Sequence, residues 1–252
     1  MFSFYGKLST EVYNIDKPIG HSFGDVEFYK QRLKNIKGRV LEPAVGTGRV
    51  LIPLLEEGFI VDGIDSSDEM LDLCRYHCNQ LGLQPNIYKK NMENFSLPHK
   101  YEAIIVPAGS FLLLKNYSKA INALKCFYEH LSIGGRLIID IFMQSSFDTG
   151  TTSTKSWSTP NGDLITLNES LVEVDFINQY TVSHLRYEKW HNNKLVQTEL
   201  ECFPLRWYGV EELKLILEKV GFTNIVISSD YKFNIYPKDN NQMITFEAYK
   251  KS

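Results

Sequence analysis

The sequence predicts an α/β fold: a doubly wound, mostly parallel sheet that ends in an antiparallel hairpin and is interrupted by an inserted antiparallel segment. Three observations predict it. Arg39–Leu54 reads R-V-L-E-P-A-V-G-T-G-R-V-L-I-P-L, a short apolar strand, a G-x-G turn and the start of an apolar helix. A second strand, Phe59–Asp65, ends in an acid about twenty residues after the first strand does, the spacing of a βαβ unit. Strand and helix patterns alternate as far as Asp140, after which β-branched and aromatic runs separated by turn residues take over.

Taken in order, residues 1–37 are aromatic and polar, with one helix near Gly24–Asn35 whose Val26, Tyr29, Leu33 and Ile36 recur at helical spacing. Ser66-Ser67-Asp68-Glu69 supplies a capping serine and first-turn acids for a helix over Ser67–Gln80. A third strand over Gln84–Tyr88, a fourth over Tyr101–Val106, a helix over Tyr117–His130 and an apolar fifth strand from Ile133 to Asp140 follow. Thr151–Trp157, Leu164–Leu171, Phe176–Tyr187 and Leu195–Phe203 read as antiparallel strands, with turns at Pro160–Asp163, near Asn178 and at Asn192-Asn193. Trp207–Leu213 opens a last helix that runs to Val220 and stops at Gly221, and strands over Ile225–Tyr231 and Met243–Tyr249 close the chain. The expected organisation is a lid or helical segment over 1–37, a cofactor-binding domain from 38–144 and 206–252, and an inserted cap over 145–205.

The G-x-G turn lets backbone approach a ligand, and the helix after it points unpaired N–H groups the same way. A dinucleotide site would want a third glycine at position 51, which is Leu. Glu42 closes the first strand and Asp65 the second. A carboxylate at the end of the second strand faces the crevice beside the first turn, where it can accept both hydroxyls of a ribose. Capping the next helix is its alternative role.

With those residues in place, V-L-E-P-A-V-G-T-G-R, V-D-G-I-D-S-S-D-E-M-L, K-K-N-M-E-N-F and Y-E-A-I-I-V-P-A-G-S-F together resemble the ordered motifs of class I S-adenosylmethionine-dependent methyltransferases, over about half the chain, Val40 to Asp140. The resemblance implies a Rossmann-like seven-stranded sheet and S-adenosyl-L-methionine as cofactor, leaving as S-adenosyl-L-homocysteine. It implies Glu42, Ala44, Gly46 and Gly48 against the methionine part, and Asp65 with Ser66 at the ribose. It also implies Met70, Asn91, Met92, Glu93 and Pro107 around the adenine side. Many relatives carry Asp where Asn91 stands, and an amide can still accept from or donate to the adenine edge. Tyrosines of an N-terminal segment fold over the cofactor in many relatives, making Tyr5 and Tyr13 lid candidates, with Phe111 and Trp207 further candidates at the acceptor.

The acceptor is narrowed by exclusion. A formal net charge of −3 over 252 residues argues against a nucleic-acid partner. No apolar run is long enough to span a bilayer and the N-terminus lacks a signal pattern, so a cytoplasmic monomer or homodimer is expected. Pro107-Ala108-Gly109-Ser110-Phe111 is not the N/D-P-P-Y/F turn of base-amine methyltransferases, and neither a nucleophilic cysteine nor paired glutamates follow the fourth strand. Cys74 and Cys78 sit i,i+4 on a helix with His77 off their shared face, which is packing rather than a metal site. His21, His184 and His191 carry no sign of a base, and no catalytic residue is assigned. Inserted rings such as Trp157, Phe176, Tyr180, Tyr187 and Trp190 suit flat or cationic acceptors. The expected function is methyl transfer to nitrogen or oxygen of a small molecule, with an NAD(P)-dependent oxidoreductase or a non-catalytic cofactor-binding module as alternatives.

Overall fold

A computed structural model describes residues 5–251, so positions 1–4 of the expected N-terminal segment lie outside the described residues. Two helices, α1 (Lys7–Asp16) and α2 (Asp25–Leu33), precede the first sheet strand. The αβ units follow as β1 (Arg39–Pro43), α3 (Leu51–Glu56), β2 (Ile60–Asp65), α4 (Asp68–Gln80), β3 (Ile87–Lys89), β4 (Tyr101–Val106), α5 (Tyr117–His130) and β5 (Leu131–Ile141). The insertion is β6 (Thr152–Ser158), β7 (Leu164–Asp175), β8 (Tyr180–His191) and β9 (Lys194–Arg206). The chain then returns through α6 (Val210–Val220), β10 (Phe222–Ser229) and β11 (Ile244–Lys250).

Seven strands form one Rossmann-like sheet in the order β10-β11-β5-β4-β1-β2-β3, with only β11 antiparallel to its neighbours. Alternate residues of each strand point to opposite faces and therefore into two cores. Leu41, Ile104 and Ile139 pack with Leu124 and Phe127 of α5 and Leu213 and Leu217 of α6. Val40, Ala103, Ile105 and Ile138 pack with Tyr29 of α2, Leu51 of α3 and Leu71 of α4. The chain order reverses between β1 and β4, so a crevice opens beyond their carboxyl ends, where ligands of such sheets bind.

Local sequence explains most boundaries. Ser67 caps α4 by accepting from the Met70 N–H at 3.1 Å, Asn116 caps α5 by accepting from Ser118 at 2.9 Å, and Gly221 ends α6 at φ +118°. Differences have local causes too. Phe176 lies in the β7–β8 turn rather than a strand, because the Asp175 carboxylate accepts from the N–H groups of Ile177 and Asn178 and closes that turn first. The strand expected over Ile225–Tyr231 begins earlier, at Phe222, and stops at Ser229, where Asp230 and Tyr231 turn left-handed at φ +48° and +56°.

Helix α1 was not expected, and its cap is not local. Glu201 Oε1 accepts from the Gly6 N–H at 2.8 Å and from Ser9 Oγ at 2.6 Å, and Glu199 Oε2 accepts from the Leu8 N–H at 2.8 Å. Carboxylates of β9 thus take up first-turn donors that no neighbouring residue satisfies, and they face the positive end of the helix. Leu8 and Val12 bury themselves against Ile165, Leu167, Leu185 and Tyr187 on the inner face of the β6-β7-β8-β9 sheet.

The sheet leaves no room beside the turn that follows β1. A Cβ on Gly63 would come within 2.9 Å of Val45 Cγ2 and 3.1 Å of Leu51 Cδ1. Gly63→Ala is expected to lower the free energy of urea unfolding by about 1–3 kcal/mol through overpacking; an unchanged midpoint would show that α3 yields at no cost.

Candidate active site

The turn after β1 is unusual for its backbone. Ala44, Gly46 and Gly48 all take positive φ, at +56°, +55° and +90°. An alanine held in that region costs roughly 1–3 kcal/mol, and such strain gathers at ligand-binding turns. Helix α3 spans only six residues, and three amides of the turn are held within the fold, Val45 donating to the Ile64 carbonyl, Gly46 to Asp65 and Gly48 to the Val45 carbonyl.

Two carboxylates flank this turn. Asp65, at the end of β2, is half-buried; its Oδ2 accepts from the Gly46 N–H at 2.9 Å and its Oδ1 from the Ser67 N–H at 3.0 Å. Burial raises its carboxyl above the usual range against the opposing pull of the Ser67, Gly46 and Ser66 amides. Glu42, at the end of β1, is 2% exposed, and its Oε2 finds no hydrogen-bond partner among the described residues. Burial pushes its carboxyl well up, only partly offset by Arg49. An oxygen this deep without a donor is costly. The cofactor that the motifs imply carries an ammonium group at its methionine end and two ribose hydroxyls, donors that these two acceptor carboxylates fit.

The other predicted residues divide. Met70 is fully enclosed beneath the turn, its Sδ 3.9 Å from where a Cβ on Gly46 would stand. Asn91 is exposed and Met92 half-buried after β3, while Glu93 is engaged by Lys119 of α5 at 2.8 Å. Pro107 is buried at the end of β4. Phe111 is fully buried and stacked on Tyr208, with centroids 5.7 Å apart, so its ring belongs to the core. Trp207 sits with Phe147 and Phe176 where the insertion leaves the main sheet, at centroid distances of 5.0 and 6.1 Å. Tyr5 and Tyr13 meet edge-on at 6.1 Å beside the turn, and the Tyr5 carbonyl accepts from Ser67 Oγ at 2.8 Å. Cys74 and Cys78 are buried in α4, and His77 Nδ1 lies 3.1 Å from the Thr47 carbonyl. No helix among the described residues is long and apolar enough to cross a membrane.

Sequence reasoning gave no role to Asp140. It ends β5 fully buried, with Oδ2 accepting from Tyr29 at 2.7 Å, the Ala108 N–H at 3.0 Å and Tyr231 at 3.2 Å, and Oδ1 accepting from Thr245 at 2.7 Å. It thereby holds the turn after β4, where Ala108 is also left-handed at φ +54°. Its donors come from four distant stretches, so no spacing could reveal it. Arg49 was likewise silent; its guanidinium pairs with buried Asp25 at 2.5 Å and donates to the His21 carbonyl at 2.9 Å, tying α2 to the turn.

Comparisons with known proteins agree with this geometry. A family model described as a methyltransferase domain matches residues 40–135. YqeM of Bacillus subtilis, named as a methyltransferase, is 25% identical over 217 residues, covering 85% of each chain. The glycine/sarcosine N-methyltransferase of Halorhodospira halochloris is 34% identical over 117 residues, 45% of this chain and 44% of that one. Among solved structures, the sugar N-methyltransferase KedS8 of a Streptoalloteichus species superposes with a TM-score of 0.76 at 16% identity, covering 100% of this chain and 98% of that one, a likeness of fold.

Burial pushes the Asp140 carboxyl up to about 6. An unfolded aspartate titrates near ~3.9, so the native state holds the extra proton between those values. The contribution of this group to stability is therefore fully present below about pH 4 and lost as the pH rises through about 6. From pH 4 to pH 7 the wild type is expected to lose up to about 3 kcal/mol relative to Asp140→Asn in urea unfolding; a difference that stays flat with pH would refute the assignment.

Proposed function

We propose that this chain, whose residues 40–135 match a methyltransferase-domain family model, is a class I S-adenosylmethionine-dependent methyltransferase that moves a methyl group onto nitrogen or oxygen of a small-molecule acceptor. The observation that carries this reading is the pair Glu42 and Asp65 on either side of the strained turn, one oxygen of Glu42 buried without a donor. Bound there, the cofactor supplies a methyl already activated by its sulfonium, which the acceptor takes in line with the departing sulfur.

What remains for the protein is binding, alignment and exclusion of water. Glu42 would receive the ammonium and Asp65 the ribose hydroxyls. Ala44, Gly46, Gly48 and Ser66 would lend backbone, and Met70, Asn91, Met92, Glu93 and Pro107 would bound the adenine side. Residues 38–144 with 206–252 would hold the cofactor, the segment over 1–37 would close on it through Tyr5 and Tyr13, and residues 145–205 would cap the acceptor. A neutral amine needs no general base to attack, whereas a hydroxyl does. The glycine/sarcosine N-methyltransferase, matching over part of its length, and the sugar N-methyltransferase of like fold support an acceptor of small size.

Calorimetric titration with S-adenosylhomocysteine tests the reading. Saturable binding is expected, weakened at least about tenfold by Asp65→Ala or Glu42→Gln, each of which removes a charge-assisted contact, and not competed by NADH. Because binding an ammonium draws the proton off Glu42, affinity should rise with pH. Absent binding, or a preference for NADH, would overturn the proposal.

A further inference from the structure

Between α1 and the inner face of the inserted sheet lies a cavity of about 230 Å³. Its walls carry the rings of Tyr5, Tyr13, Trp157, Tyr187 and Phe203. Tyr5 joins it to the ribose carboxylate, through the bond from Ser67 to its carbonyl, and Tyr13 lies beside Arg49 and Glu42. The cavity therefore borders the cofactor site at one end.

Its charges are not equivalent. Strand register sets Glu169 opposite Leu185 and Leu185 opposite Glu201, so both carboxylates occupy one row of the same face. Glu201 is spent on the first turn of α1, and Asp16 accepts from the Trp157 indole at 3.2 Å. Glu169 is half-buried, and its carboxylate makes no hydrogen bond or ion pair among the described residues. Of the two lysines at the cavity, Lys155 is exposed on the rim and Lys17 lies over the Tyr13 ring at 5.1 Å, its ammonium disfavoured by burial. The Tyr187 hydroxyl is held protonated by burial and by the nearby Glu201, Glu169 and Glu199, so it adds no negative charge of its own and leaves the carboxylates to dominate. Aromatic faces around a carboxylate without a partner select a cation, since the ring quadrupole and the anion both attract it.

Resting on the methyltransferase reading, we propose that this cavity receives an acceptor bearing a positively charged amine, and that Glu169 is the residue that selects it. Glu169 acts in recognition: it holds the ammonium, and because a protonated nitrogen has no lone pair to give, the methyl goes to a different, uncharged atom of the acceptor that Glu169 does not contact.

The test is transfer of labelled methyl from S-adenosylmethionine to a panel of amino sugars, amino acids and diamines, set beside neutral phenols, with wild type and Glu169→Gln. Amine-bearing acceptors are expected to be methylated, and Glu169→Gln to raise their KM about tenfold or more while kcat stays within about threefold and S-adenosylhomocysteine binds as before. Selectivity for neutral phenols, no turnover of any amine by protein that binds S-adenosylhomocysteine, or an unchanged KM in Glu169→Gln would each overturn it. Failure to bind S-adenosylhomocysteine would instead strike at the methyltransferase reading beneath it.

Discussion

The hydrogen bond from the Gly46 amide to the Asp65 carboxylate ties the turn after β1 to the end of β2, and much of the molecule is arranged to allow it. Parallel register brings Pro43 opposite Ile64, so the two strand ends arrive level. The Val45 N–H then bonds the Ile64 carbonyl at 3.0 Å, and Val45 and Leu51 close over Gly63 with no space for a side chain. The other Asp65 oxygen takes the Ser67 amide, and Ser67 in turn caps α4 and holds the Tyr5 carbonyl. One carboxylate thus sets the turn, the start of a helix and the approach of the N-terminal segment. Moving any of these shifts the others, because the turn and the helix start share its two oxygens and Ser67 passes the constraint on to Tyr5.

A second coupling runs through α1. Its first turn is satisfied by Glu199 and Glu201 of β9, and its apolar side by the inner face of the insertion, while Lys189 of β8 reaches Glu11 at 2.9 Å. The helix therefore belongs energetically to the inserted sheet rather than to the main one. Arg49 and Asp25 do the corresponding work for α2, as a buried bidentate pair next to the turn. A pair this desolvated is weak as a source of net stability but costly to break from one side, which fixes the position of α2 more than it strengthens the fold.

How much was legible in the sequence follows from how local each signal is. The βαβ alternation, the Ser67 cap, the Gly221 stop and the acids that close β1 and β2 were readable because each depends on residues a few positions apart, whereas the Asn116 cap of α5 went unread. The helix over Tyr117–His130 and the strand over Tyr101–Val106 have the bounds their patterns gave. Helix α1 was hidden because its capping groups come from Glu199 and Glu201, more than 190 residues away. Asp140 was hidden for the same reason, with donors on α2, the turn after β4, the segment after β10 and β11. Phe111 looked available on the active side of the sheet, yet the short helical turn over Ser110–Leu113 carries the ring inward onto Tyr208. Sequence position gives the end of the sheet a residue occupies, and only packing decides which way its ring faces.

The contrast between the two buried acids, Glu42 and Asp140, separates architecture from binding. Burial raises both carboxyls. Four donors surround Asp140, so its desolvation is offset within the fold and its place is structural. Glu42 is nearly as deep, but one of its oxygens meets no donor among the described residues, and its neighbours Asp25 and Asp65 add repulsion. A chain free to minimise its own energy would place an apolar residue or a paired acid there. The cost is intelligible where the missing donor arrives with a cationic ligand, which then stabilises the folded state in proportion to its binding. On that account the strained turn and the unsatisfied Glu42 are one feature: both are energetically complete only when a ligand lies against Ala44–Gly48.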